Sequence, residues 1–160
     1  MTGQTASPFE VQTSMLVSLP RNEGGMGINI ANNLRIPLSD AARSLYDKTC
    51  CYADILIESS TDSMGVILEC QGRSAHDSEA ASLSDAERTT ALTSMGYDAI
   101  QITYDQIKDT KSFNSIAELI HKKAGLPYVP KSKLELTAAE TLRRELLVDW
   151  DELFTAKSAG

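Results

Sequence analysis

Several things are scarce in this chain, and each scarcity removes a class of protein. Three cysteines are an odd number, with Cys50 beside Cys51 and Cys70 inside an apolar run, so neither a disulfide framework nor a CxxC metal spacing is present. Aromatic residues make up 6% of the 160 residues, too few for a base-stacking platform. No zinc-finger spacing or Gly-rich phosphate loop occurs. No apolar run approaches the roughly 18 residues that a bilayer span requires, and the opening MTGQTASPFE has neither a basic nor an apolar signal region. A soluble cytoplasmic chain with no membrane partner is the expectation. Positive charge is also short: 15 Lys and Arg stand against 22 Asp and Glu, a net charge of −7. That argues against wholesale attraction to nucleic-acid phosphates.

What is present is ordinary globular composition, with 42% hydrophobic and 23% charged residues. At this length one domain over 1–160 is expected, with a core at about 7–125 and a helical extension at about 134–156. Ser7-Pro8-Phe9-Glu10 reads as a helix start, with a serine cap, a proline in the first turn and a glutamate three residues on. Val11, Met15 and Leu19 form its apolar stripe, and Pro20 with Gly24-Gly25 ends it. Ile28 to Arg35 suits a strand, and Leu38 to Tyr46 is partly helical. ADILIE and GVILEC, separated by a polar turn, read as a β-hairpin. A helix from Ser82 to Met95 follows, with Ser84-Asp85-Ala86-Glu87 as its capping box and Gly96 as its stop. Then come a strand at Tyr97 to Thr103 and a helix carrying Phe113, Ile116, Leu119 and Ile120 that stops at Gly125. A last helix opens at Thr137-Ala138-Ala139-Glu140. This order predicts an α/β fold with a mixed sheet flanked by helices, in which the strand after the hairpin joins by a parallel, right-handed crossover.

The hairpin concentrates the chemistry. Pairing Glu58 with Gly65 sets Asp54 opposite Glu69, with Cβ atoms about 4.5 to 5.5 Å apart. Period-2 alternation turns Gln71 to the same face, with Leu56 and Ile67 further along, and turns Ala53, Ile55, Ile57, Val66, Leu68 and Cys70 to the other. Opposed carboxylates repel unless a proton or a cation lies between them. A hard divalent cation such as Mg²⁺ or Mn²⁺, held by two carboxylates and completed by water and phosphate oxygens, fits this set. Two strand-end acids in solvent are the plainer alternative.

Asp54 followed by Glu69-Cys70-Gln71 on a hairpin resembles the PD-(D/E)xK nucleases. The resemblance is nearest to the very-short-patch-repair and other restriction-endonuclease-like members, through Gly72-x-x-x-His76, Asp85-x-x-Arg88-x-x-x-Leu92-x-x-x-Gly96-Tyr97 and Ile100-x-Ile102, and through Glu10 and Gly24-Gly25 nearer the start. It spans roughly residues 7 to 125. It implies a restriction-endonuclease-like αβββαβ core and a metal-dependent endonuclease, with Asp54 and Glu69 as ligands of Mg²⁺ (or Mn²⁺) and nucleic acid, chiefly DNA, as substrate. Gln71 stands where the family carries lysine; it orients water but supplies no charge. His76 is a candidate general base or acid as well as an ordinary loop histidine. Glu10 is an accessory acid or simply the helix-capping glutamate. Arg73 is a candidate phosphate contact, and Asp85 with Arg88 a structural i, i+3 ion pair.

Two other functions stay open. The neutral Gln71 and the net charge of −7 suit an inactive member of the fold serving as a binding or assembly module in repair, defence or a toxin-antitoxin system. The last helix, from Thr137 to Phe154, suits a protein-docking element. Lys108, Lys111, Lys122, Lys123, Lys131 and Lys133 form a run that reads either as a basic strip or as a solvated face. A homodimer is compatible with all of this.

Overall fold

The computed structural model describes residues 7–71 and 79–148, the side chains of 79–82 excepted. The chain divides into two compact units, 1–28 with 130–160 and Asn29–Val129. No helix among the described residues is long and apolar enough to cross a membrane.

The unit of chain ends holds α1 (Pro8–Ser18), a 3-10 turn at Arg21–Glu23 and α6 (Lys133–Leu146). Ser7 caps α1 by accepting the Glu10 N–H at 3.2 Å, as its sequence predicts. The expected apolar stripe is displaced: Val11 is 44% exposed, while Phe9, Gln12, Thr13, Leu16 and Val17 are buried. Two polar residues tolerate that burial because each is bonded: Gln12 Nε2 donates to Leu146 O at 2.8 Å and Thr13 Oγ1 to Phe9 O at 2.9 Å. The expected start of α6 at Thr137 is corrected as well. The capping box is Ser132 with Glu135, and Thr137 lies inside the helix, its hydroxyl donating to Lys133 O. Glu135 wins because it also pairs with Arg21, whose Nε lies 2.6 Å from Oε2.

The second unit is built on a four-stranded sheet in the order β1 (Ile30–Pro37), β2 (Cys50–Ile57), β3 (Gly65–Gln71), β4 (Tyr97–Thr103). The first two pairings are antiparallel and β3–β4 is parallel, which gives the expected mixed α/β sheet flanked by helices. Pro37 fits because β1 is an edge strand, where a missing N–H breaks no ladder. α2 (Asp40–Arg43), α3 (Glu79–Ser94), α4 (Tyr104–Lys108) and α5 (Thr110–Ala124) complete the unit. The box expected at Ser84 lies within α3, which begins earlier. α4 was not foreseen; its own capping box joins Thr103 and Gln106. α5 buries Phe113, Ile116, Ala117, Ile120, His121 and Ala124 and ends at Gly125 with φ 69, although Leu119 is 39% exposed. β3 is buried from Gly65 to Glu69, whereas β2 alternates, so only β3 is covered on both faces as a central strand should be.

Candidate functional site

The hairpin keeps the register its turn dictates: Ile57 pairs with Val66, Leu56 with Ile67 and Ile55 with Leu68. The ladder ends there, one step short of Asp54 and Glu69. On the other side of β2, Asn32 pairs with Ile55 and Leu34 with Ala53, while Asn33 and Asp54 between them drop out. Asn33 has φ 50, the left-handed conformation that asparagine accepts more readily than most residues. Released from both ladders, Asp54 Oδ2 accepts the Cys70 N–H at 3.0 Å. Strict alternation does not carry through this break. Cys51 and Ala53 join the apolar cluster of Ile67, Ala91 and Leu92, the face to which alternation did not assign Ala53. Leu56 packs against that cluster as expected.

Glu69 is 2% exposed. Arg88 Nη2 donates to its Oε2 at 2.8 Å, a bond that reaches from α3 to the sheet, while Asp85, the expected i, i+3 partner, acts on Arg88 electrostatically. Among the described residues, Glu69 Oε1, Arg88 Nε and Thr89 Oγ1 are buried without a hydrogen-bond partner. Burial pushes the Asp54 carboxyl above its ordinary value, against the Cys70 N–H and Arg88, which pull it down. Glu69 is likewise pushed up by burial; Arg88 opposes, and Asp54 and Asp85 add to the rise. Arg88 itself is disfavoured by burial, yet Glu69, Asp54 and Asp85 together hold it more firmly charged. Arg88 is thus bonded to Glu69 and lies within electrostatic reach of Asp54 and Asp85.

The side chains expected to act together are only partly joined. Asp54 and Glu69 feel each other and Arg88. Gln71, partly buried at the end of β3, pairs in register with Thr103. Arg73 and His76 lie outside the described residues. Glu10 belongs to the unit of chain ends, on α1. Lys108, Lys111, Lys122 and Lys123 are exposed on the sheet unit, Lys123 lying 3.4 Å from Asp98; Lys131 and Lys133 fall in the other unit.

Sequence reasoning missed Arg88 as the partner of Glu69, although a signal exists. Arg88, Ala91 and Leu92 stand at i, i+3 and i+4 on one helical stripe, and an arginine on a buried stripe requires a buried anion. Among the described residues, no group of three or more His, Cys, Asp or Glu side chains is arranged to hold a metal ion. Asp54 and Glu69 are thus two carboxylates that burial disfavours as anions. Comparison with family models, with curated proteins and with solved structures returns no match.

Proposed function

We propose that the sheet unit is a restriction-endonuclease-like domain of the PD-(D/E)xK type, a metal-dependent endonuclease acting on DNA phosphodiesters in the cytoplasm. Asp54 and Glu69 are the ligands of Mg²⁺ or Mn²⁺. The observation that carries this reading is Glu69 Oε1, an oxygen of a carboxylate 2% exposed that has no hydrogen-bond partner among the described residues. A buried polar group in that condition costs about 1–3 kcal/mol, and more when charged. Retaining it near a second, partly buried carboxylate is understandable where a cation uses both.

When bound, a divalent cation polarises the scissile phosphate and makes hydroxide available near neutral pH. The chain's own groups do the rest. The Cys70 N–H fixes Asp54 and Arg88 fixes Glu69, each through one oxygen. Gln71, next but one to Glu69 on the strand, orients water. The test is manganese titration calorimetry on the wild type beside Asp54→Ala, with nuclease assays of Glu69→Ala. The expected result is saturable binding and cleavage that the substitutions abolish. Cleavage by Glu69→Ala at the wild-type rate would sink the reading.

One observation favours a second function, an inactive binding or assembly module. Arg88 already gives Glu69 a countercharge, as a purely structural ion pair would. Absence of metal binding both alone and with DNA present would select this alternative.

A further inference from the structure

We propose that Arg88 is the phosphate contact of the site, stored on Glu69 until a divalent cation takes that carboxylate over. The inference rests on the metal-site reading above and goes beyond it by assigning the positive charge that Gln71 cannot provide.

The argument begins with how incompletely the pair is made. A guanidinium carries five donors in a planar fork, and its most favourable contact with a carboxylate uses two parallel hydrogen bonds. Here Nη2 donates to Oε2 at 2.8 Å, whereas Arg88 Nε and Glu69 Oε1 are both buried and, among the described residues, both unpartnered. A pair selected only to fasten α3 to the sheet gains from closing the second bond. This one leaves an acceptor free on one member and a donor free on the other. The acceptor suits a metal ion and the donor suits an anion.

Charge leads to the same place. Arg88 interacts with Glu69, Asp54 and Asp85, so the group carries an excess of two negative charges when all are ionised. A divalent cation cancels that excess. Glu69 then has a second, stronger positive neighbour, and its hold on the guanidinium falls. Phosphate, like carboxylate, presents two oxygens that the planar arginine fork takes bidentately, so a phosphodiester drawn to the cation is the natural next partner. α3 gives the side chain a fixed base, because Ala91 and Leu92, one turn on, are both buried in the apolar cluster.

The experiment measures two affinities, for Mn²⁺ alone and for a phosphorothioate dinucleotide in saturating Mn²⁺, in the wild type, Arg88→Gln and Arg88→Lys. Removing a cation that competes for Glu69 should tighten Mn²⁺ binding in Arg88→Gln by about tenfold, while dinucleotide binding weakens by about as much. A merely structural arginine does not move the two in opposite directions. Arg88→Lys covers the case in which the glutamine variant does not fold: it keeps the charge but not the fork, so Mn²⁺ affinity stays near wild type and dinucleotide affinity falls severalfold. A folded variant that binds the dinucleotide as the wild type does overturns the proposal while leaving the metal site standing. Failure of the wild type and both variants to bind Mn²⁺ overturns the metal-site reading, and this assignment with it.

Discussion

Glu69 shows at the scale of one residue how a fold can bury a charge before satisfying it. Its partner Arg88 is 22% exposed at the side chain and Glu69 3%, so removing either member strands a charge in a poorly hydrated place. Arg88→Ala should therefore lower stability by about 3–5 kcal/mol in urea denaturation, whereas the double change Glu69→Gln with Arg88→Gln should recover much of that loss. Glu135 obeys a different rule. Its bonds with Arg21 and Ser132 lower its pKa from 4.5 to about 2. The folded chain thus binds this proton more weakly than the unfolded chain, so the contribution is present above 4.5 and is lost as pH falls toward about 2. Thermal melts across that window should show wild type losing more stability than Glu135→Gln. Sequence reading missed both: the buried stripe of Arg88 signals an anion without naming Glu69, for which the nearer Asp85 stood in, and the Thr137-x-x-Glu140 pattern drew the cap away from Ser132 and Glu135, whose Arg21 partner lies 114 residues off.

Elements were more readable where a local device sets them. The hairpin register follows from a short turn between two β-rich runs, and the parallel entry of β4 follows from an intervening helix. Gly125 stops α5 where its position predicts, and the turn of the hairpin fastens there: Ser60 Oγ donates to Gly125 O at 2.7 Å. A Cβ at Gly125 would lie 2.5 Å from Ser60 Oγ, on a backbone at φ 69. Gly125→Ala should cost at least about 1–2 kcal/mol in chemical denaturation. It should also loosen the β2–β3 turn, read as faster hydrogen exchange at the Ser60 amide, which donates to Ala124 O. The face of α1 was unreadable for a contrary reason. Hydropathy counts Gln12 and Thr13 as outward residues, and only a hydrogen bond to Leu146 O, 134 residues away, makes one of them an inward one.

For the molecule as a whole, charge and connectivity set the terms. With a net charge of −7 and a pI near 4.8, the chain as a whole has an unfavourable charge balance for DNA, so the proposed endonuclease would depend on its cation to engage a duplex. At about 0.15 M salt, binding to a duplex should be undetectable in EDTA and appear on adding Mg²⁺, as read by fluorescence anisotropy. Connectivity has a consequence in time. Residues 1–28 form a unit with 130–160, and the bonds that join them, Arg21 to Glu135 and Gln12 to Leu146, span 114 and 134 residues. During synthesis α1 is made before the sheet unit and α6 after it, so α1 waits through the synthesis of that whole unit for the helix it bonds to. The sheet unit with Asp54, Glu69 and Arg88 has every strand and helix in hand once Val129 is free of the ribosome. A nascent chain halted there carries the complete candidate site while α1 still lacks the helix it bonds to.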